Sequence, residues 1–515
     1  MQRNVLNAAV LAAVAVMAGQ AQAGVAPTSI TAGNTAVTYI SGSSATNNQL
    51  IGFARKACTS GTLTHIKTSD SNHFALLCQP SASMGSYTKT NVLIVKNSTG
   101  GSGNGVGPVA SADANWPFLD VFNPTWQASC GIAGPQSAIT EYSDPTDTNS
   151  ATQIALPAYE ERTCALTTAG HVPDMGISDE EPAVLVAAGS VTATPDQVAA
   201  LTADPLNIVT FGVGVTTALR DALQTQQIAN GALPGSCTAG NETEACMPSL
   251  TKTSVASIYS GSLVGWSELG LAPADDQVYI ARRPVSSGTE TAHRVFFLND
   301  PCAPGMLQML ASSFGANDAL EGEKKATACS AASYAPGANV YTGSGGGNVE
   351  TCLVNHNAKG RFAVGVVGIE NPATGSAAAA GMRHVKIDGV SPTAINVSNG
   401  RYGFWVEATL NYTSVAGDVA TMKDALLTAY NDPVVVRSVN TGFNATALLS
   451  TAAEPWTAGI VAPAGSGTPP NITTGTLQDK LKAIYLNPTS SMTRGGNSCQ
   501  PAYTYHAVGT SGNQP

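Results

Sequence analysis

Three times along this chain a small-residue turn leads into a helical pattern, and that recurrence constrains the fold more than any other feature. Ser41-Gly42-Ser43-Ser44-Ala45-Thr46-Asn47 follows a β-like run from Ala36 to Ile40 and opens a segment whose Leu50, Ile51, Ala54 and Ala57 share one helical face. Arg282 and Arg283 precede Ser286-Ser287-Gly288-Thr289, which runs straight into an apolar-periodic helix from Glu290 to Leu298. The third turn, Met175-Gly176-Ile177-Ser178-Asp179-Glu180-Glu181-Pro182, carries acidic groups instead of donors.

A glycine-permitted turn at a helix start presents unpaired N–H groups, and the first two turns add hydroxyls and, in one case, a guanidinium. This is oxyanion chemistry, although an ordinary N-capped helix has the same local pattern. A doubly charged anion leaving water needs many fixed donors and a bidentate arginine to replace its hydration. Asp179 fits such a site if the anion keeps a proton, as phosphate does near neutral pH and sulfate does not. The carboxylate would then repel the wrong ion. Its bland alternative is an Asx turn or N-cap on the segment Glu180 to Ala188.

Composition sets the context. Charged residues are 11% of the 515, and the formal net charge is −10, which argues against nucleic acid and anionic membranes as partners. An anion is therefore held by local, preorganised dipoles, not by the field of the whole protein. Residues 1–23 have the pattern of a secretory signal, with Arg3, an apolar run from Val5 to Ala18 and Ala21-Gln22-Ala23 before a cleavage point after Ala23. No cysteine sits at that point to take a lipid, and no later apolar run reaches the ~18 residues of a membrane span. The expected location is periplasmic or secreted, without membrane insertion. Ten cysteines with no C-x-x-C spacing suit structural disulfides better than a metal or a redox pair. Cys237 with Cys246 would close a short loop and Cys58 with Cys78 would tie the first helix to the next hairpin, but spacing leaves both pairings open.

Strand-like runs (Asn91–Val95, Ile208–Val213, Gln277–Ile280, Phe362–Gly368) alternate with helical patterns (Thr216–Gln227, Asp418–Tyr430), so an α/β fold is expected. The length exceeds one compact core, so two lobes are expected as well. Residues 431–475 are rich in Ala, Thr, Gly and Pro, with a linker-like run from Ala462 to Pro470. A helical stripe of Leu477, Leu481, Ile484 and Tyr485 follows.

Taken together, Gly42-Ser43-Ser44-Ala45-Thr46, Gly176-Ile177-Ser178-Asp179, Ile258-Tyr259-Ser260-Gly261 with Trp266, and Arg282 through Thr289 resemble the periplasmic phosphate-binding proteins that serve ABC importers, of the type II periplasmic-binding superfamily. The resemblance implies a two-lobe type II periplasmic-binding fold with discontinuous domains, here enlarged by insertions and a C-terminal extension. It places lobe one in residues 24–205 and 386–515 and lobe two in 206–385. It implies a phosphate site formed by Thr46, Asn47, Asp179, Arg283, Ser287, Gly288 and Thr289. A further serine of the family falls in the run Ser98 to Gly105, at Ser102 or Ser98. Two positions depart from the family pattern: Val285 stands where an acidic partner of the arginine is usual, and Asn47 where an aromatic is usual.

The expected function is capture of inorganic phosphate for an ABC permease or for scavenging, with no catalysis, cofactor or metal. The alternatives are a secreted structural or adhesive surface protein that keeps the fold, and a phosphoester hydrolase. No G-x-S-x-G, Walker or H-E-x-x-H motif supports an enzyme, and the seven histidines are scattered. His293, one turn past Thr289, is expected to be a surface residue of a capped helix.

Overall fold

The computed structural model describes residues 24–136, 139–142, 153–156, 158–310, 327–330, 338–369, 381–432, 435–436, 460–461, 463–464, 474–476, 479, 483 and 488–505. The signal-like residues 1–23 and the stripe from Leu477 to Tyr485 lie outside the described side chains. The fold is α/β, with helices packed on a large mixed sheet.

Its principal strands are β1 (Thr35–Gly42), β2 (Thr64–Lys67), β3 (His73–Cys78), β4 (Asn91–Asn97), β5 (Gly131–Gln136), β6 (Tyr159–Thr163), β7 (Met175–Ser178), β8 (Thr202–Thr216), β9 (Tyr279–Arg282), β10 (Asn339–Thr342), β11 (Ala363–Gly368), β12 (Met382–Ile387) and β13 (Trp405–Tyr412). The 15-stranded sheet runs in the order β10-β9-β11-β8-β13-β7-β1-β4-β3-β2-β6-β5, with β12 also paired to β8.

Two groups of parallel strands matter for function. β1 lies between β4 and β7 and is parallel to both, so the turns after Gly42, Asn97 and Ser178 leave the same edge. β9 likewise lies between β10 and β11, parallel to both, so the turns after Arg282 and Thr342 and the end of β11 also meet. In open α/β sheets the crevice outside the carboxyl ends of parallel strands is where ligands bind. Between the groups runs β8, which pairs antiparallel with β13 from Thr202 to Thr210 and then with β11 and β12 beyond it. Its register shifts between Pro205 and Ile208, where a proline cannot donate to the ladder.

The strands expected from sequence are present with altered ends. β4 runs two residues beyond Val95 because β1 and β3 pair with it on both sides through Asn97. β9 starts at Tyr279 and not at Gln277, because pairing to β10 and β11 begins there.

The helices follow their apolar spacing. In α1 (Asn47–Ala57) Leu50, Phe53, Ala54 and Ala57 are buried, while Ile51 is only half-buried. Others are α2 (Pro182–Ala187), α3 (Thr217–Ala229), α4 (Lys252–Ser260), α5 (Gly288–His293), α6 (Gly346–Asn357) and α7 (Gly417–Asn431). Thr216 caps α3 by accepting from Leu219 N at 3.3 Å. After α5 the helix winds wider over Arg294–Leu298. No described helix is long and apolar enough to cross a membrane.

All ten cysteines pair, as Cys58–Cys78, Cys130–Cys164, Cys237–Cys246, Cys302–Cys499 and Cys329–Cys352. Two of these are the pairs that spacing had suggested. Cys302–Cys499 spans 197 residues and anchors the C-terminal segment, which also bonds to the body. Thr493 Oγ1 donates to Glu407 at 2.6 Å, Arg494 Nη2 to Gly403 O at 2.8 Å, and Ser498 N to Glu181 at 2.6 Å. A cross-link over so long a loop constrains the unfolded chain by on the order of 5 kcal/mol. Replacing both Cys302 and Cys499 by Ser is expected to cost about that much in denaturant titrations, against less for the Cys237–Cys246 pair with its separation of 9.

Candidate functional site

β1 ends at Gly42, whose φ of +95° and close approach to the Ile177 carbonyl and Gly105 backbone leave no place for a side chain. The chain then turns so that Ser43 N donates to Ile177 O at 2.8 Å and Ser43 Oγ to Asp179 Oδ1. From the turn after β4, Ser102 Oγ accepts from Asp179 N at 3.0 Å. Three loops are thus locked together around one carboxylate.

Asp179 is 3% exposed. Burial pushes its pKa up, opposed by the Ser43 and Ser102 hydroxyls and the positive charges of Arg283 and Lys96. Lys96, the residue that sequence reasoning missed, is fully buried on β4 and donates to the Gly42 carbonyl. Burial brings its pKa down to about 7, and Asp179 works against that fall. Its one sequence signal was a lysine closing the otherwise apolar run Val92-Leu93-Ile94-Val95.

The other group of loops closes onto the first. Gly103 N donates to Ser286 O at 2.9 Å, and the Ser190 and Thr291 hydroxyls are 3.0 Å apart. Ser287 is buried as the N-cap of α5. Gly288 faces Asp179 so closely that a Cβ there would lie 2.6 Å from Asp179 Oδ2. Arg283 Nη2 donates to Ser344 O at 2.7 Å, which orients the guanidinium where Val285 supplies no carboxylate. Arg282 instead pairs with Glu290 at 2.8 Å, inside the helix start.

Between the two groups lies a cavity of about 240 Å³. Ser44, Asn47, Asn48, Arg283 and Thr289 line one part of it, and Gly346, Gly347 and the carboxyl end of β11 the rest. Arg283 and Thr289 are each 6% exposed. The Thr289 hydroxyl has no hydrogen-bond partner among the described residues. Asn47 Nδ2 donates to Ser98 Oγ at 3.3 Å, so Ser98 holds Asn47 and is itself tied to Asn72 O.

The site residues expected from sequence therefore fall into two sets. Asn47, Arg283 and Thr289 line the cavity. Asp179, Ser102, Ser287 and Gly288 form the packed contact beside it and are not in its wall, and Thr46 is fully buried beside the Tyr430 hydroxyl. The Ser344–Gly347 turn was not foreseen. Asn348 Oδ1 organises it by accepting from Gly345 N at 2.9 Å and from Ser344 Oγ at 3.1 Å.

His293 is not on the surface as expected. It is fully buried, with its ring edge-on to Tyr259 at 3.8 Å and to Phe297 at 5.3 Å, because the widened turn after α5 brings Phe297 over it while α4 supplies Tyr259. Burial and the neighbouring arginines hold it neutral. His356 lies with Cys329 and Cys352 in a cluster of metal-ligand spacing, but both sulfurs are spent in a disulfide and offer no thiolate. A larger cavity of about 760 Å³ lies under the C-terminal segment, yet its carboxylates, Glu181 and Glu407, already accept hydrogen bonds from Ser498, Thr493 and Arg494.

No protein-family model matches the chain, and no curated protein is similar to it in sequence. Among solved structures it is similar to a putative phosphate ABC transporter substrate-binding protein with bound phosphate from Clostridium perfringens, at 12% identity over 78% of this chain and 98% of that one, with a TM-score of 0.39. A possible phosphate-binding protein from Planctomyces limnophilus gives 10% identity, 77% and 86% coverage and 0.31. An ABC-type phosphate transport receptor from Vibrio cholerae gives 13%, 50% and 74%, and 0.28. Similarities this distant carry no argument about the ligand or the family.

Beside Asp179, Glu180 is fully buried, with Oε2 accepting from Ser498 Oγ and Oε1 without a partner among the described residues. Burial and then the charge of Glu181 push its pKa well above the usual carboxyl range, opposed by Ser498 and Arg494, with the Asp179 charge adding to the rise. A carboxyl whose pKa folding raises binds its proton more tightly in the folded chain. Stability is therefore lost as pH rises from the unfolded value of about 4.3 through the folded one. Thermal melts are expected to show Glu180→Gln more stable than wild type at pH 7 and indistinguishable from it near pH 4. A gain that persisted unchanged at pH 4 would contradict this account.

Proposed function

We propose that this chain is an exported solute-binding protein that captures the phosphate group of its solute in the cavity between two lobes, delivering it to an ABC permease or retaining it outside the membrane. Residues 1–23 serve as the signal, 24–205 and 386–515 as lobe one, and 206–385 as lobe two. The observation that carries this reading is the convergence on one cavity of Arg283, the Thr289 hydroxyl, Asn47 and the N-termini of α1 and α6, all at carboxyl ends of parallel strands. Every one of these polar groups can donate to an oxyanion.

Asp179 acts in this reading as a brace. Its oxygens are engaged by Ser43 and covered by Gly288, and they hold the first loop, the Ser102 turn and α5 in register. The chain binds and does not transform its ligand. Its best-placed histidine, His293, is packed among aromatics and takes no part in the cavity wall.

A second reading, a structural or adhesive surface protein, is favoured by one observation. The two groups of loops touch directly, and Cys302–Cys499 fastens the C-terminal segment across the body.

Calorimetric titration of the mature protein with phosphate tests the first reading. Phosphate is expected to bind, and Arg283→Ala to weaken it by at least about 30-fold, the loss from removing one buried charged donor. Absence of binding to any tetrahedral oxyanion would leave the structural reading. Sulfate is expected to bind within about tenfold of phosphate, because the cavity wall holds no carboxylate and its buried acceptor without a partner among the described residues, the Asn47 amide oxygen, is neutral and repels neither ion strongly. Strong rejection of sulfate that Asp179→Asn relaxes would show instead that Asp179 touches the ion and reads its proton.

A further inference from the structure

The cavity is shaped for more than an ion, and we infer that its solute is a phosphomonoester of a small hydroxylated molecule, not free phosphate. This rests on the phosphate-group reading above and narrows it. Three observations support it together: volume, charge and the nature of the rim.

The volume of about 240 Å³ corresponds to roughly eight waters at ~30 Å³ each, several times what a five-atom oxyanion fills. A free ion held at Arg283 and Thr289 would leave the space over Gly346, Gly347 and residues 366–368 to solvent. A substituent on the phosphorus would occupy it.

Charge selects the monoester among substituted phosphates. Arg283 contributes one positive charge, and the N-termini of α1 and α6, helices of 11 and 12 residues, each contribute about half a charge, so the wall presents about two. A phosphomonoester, with a second pKa of about 6, is close to a dianion at neutral pH and carries no proton that needs an acceptor. The cavity wall contains no carboxylate to accept one, and its buried acceptor without a partner among the described residues, the Asn47 amide oxygen, is neutral. A diester brings one charge, and so does a sulfate ester. Because a neutral amide oxygen separates phosphate from sulfate only weakly, discrimination falls to the rest of the solute.

The rim shows where that rest lies. Asn48 in the first turn of α1 and Gly347 in the first turn of α6 are the exposed members of the wall. A Cβ added at Gly347 meets no atom within 4 Å, and its backbone is not left-handed, so there is open space at that point. Amide and backbone donors at the mouth suit a hydroxylated substituent better than a greasy one.

The experiment is calorimetric titration of wild-type protein with inorganic phosphate and with glycerol phosphate, repeated on Gly347→Leu, which places a side chain in the mouth. Glycerol phosphate is expected to bind at least about tenfold tighter than inorganic phosphate to wild type, and Gly347→Leu to abolish that advantage by weakening glycerol phosphate more than inorganic phosphate. Asn48→Leu on the facing rim is expected to reduce the advantage in the same way, which covers a Gly347 variant that fails to fold. If wild type binds inorganic phosphate as tightly as glycerol phosphate, or if the rim variants weaken both ligands equally, the monoester assignment is overturned and the phosphate-group reading stands. If neither ligand binds wild type, the phosphate-group reading itself fails.

Discussion

The structure is organised around a carboxylate taken out of water. Asp179 is almost wholly buried, and an isolated charge in that position is strongly unfavourable unless fixed donors replace its hydration. The donors come from loops far apart in sequence: Ser43 after β1 and Ser102 after β4, with the charges of Lys96 beneath and Arg283 from the facing loop. Satisfying that one group requires the carboxyl ends of three parallel strands to be level and α5 to approach within contact distance. The cavity is what remains beside this packed contact.

Positioning of the cavity then follows from strand order. β1 flanked by β4 and β7, and β9 flanked by β10 and β11, deliver their turns to a common place. The connecting strand β8 pairs with β13, β11 and β12 in turn, so the two groups share hydrogen-bonded backbone. Cys302–Cys499 adds a covalent tie, and the same C-terminal segment caps the buried carboxylates Glu180, Glu181 and Glu407. Cavity donors sit on strand ends and first helical turns, where backbone and packing hold them still. Such preorganisation is what the proposed oxyanion site, set in a net negative protein, requires.

Much of this was legible from the chain itself. The α/β alternation and the helices at Thr217–Ala229 and Gly417–Asn431 follow from apolar period and turn chemistry, and short spacing raised two of the disulfide pairings without fixing them. These signals are local: a period of two or 3.6, or a glycine with positive φ, is set by residues within a few positions. Asn47, Arg283 and Thr289 also stood out, because a small-residue turn before a helix is a local pattern too.

Tertiary structure decided what the sequence by itself left open, and the reason in each case is a contact between distant positions. Lys96 reads as a strand-end lysine until β1 and β3 bury it on both sides. His293 reads as a surface residue until Tyr259 and Phe297 close over it. Cys302 and Cys499 carry no spacing signal across 197 residues. The division of the expected site into a cavity wall and a packed contact beside it arises where loops 245 positions apart meet, as Ser43 and Gly288 do around Asp179, and the Ser344–Gly347 turn joins the wall only because β10 lies next to β9. Local pattern determined which residues start a helix or end a strand, whereas only the order of strands in the sheet, a non-local property, decided which of those ends face one another.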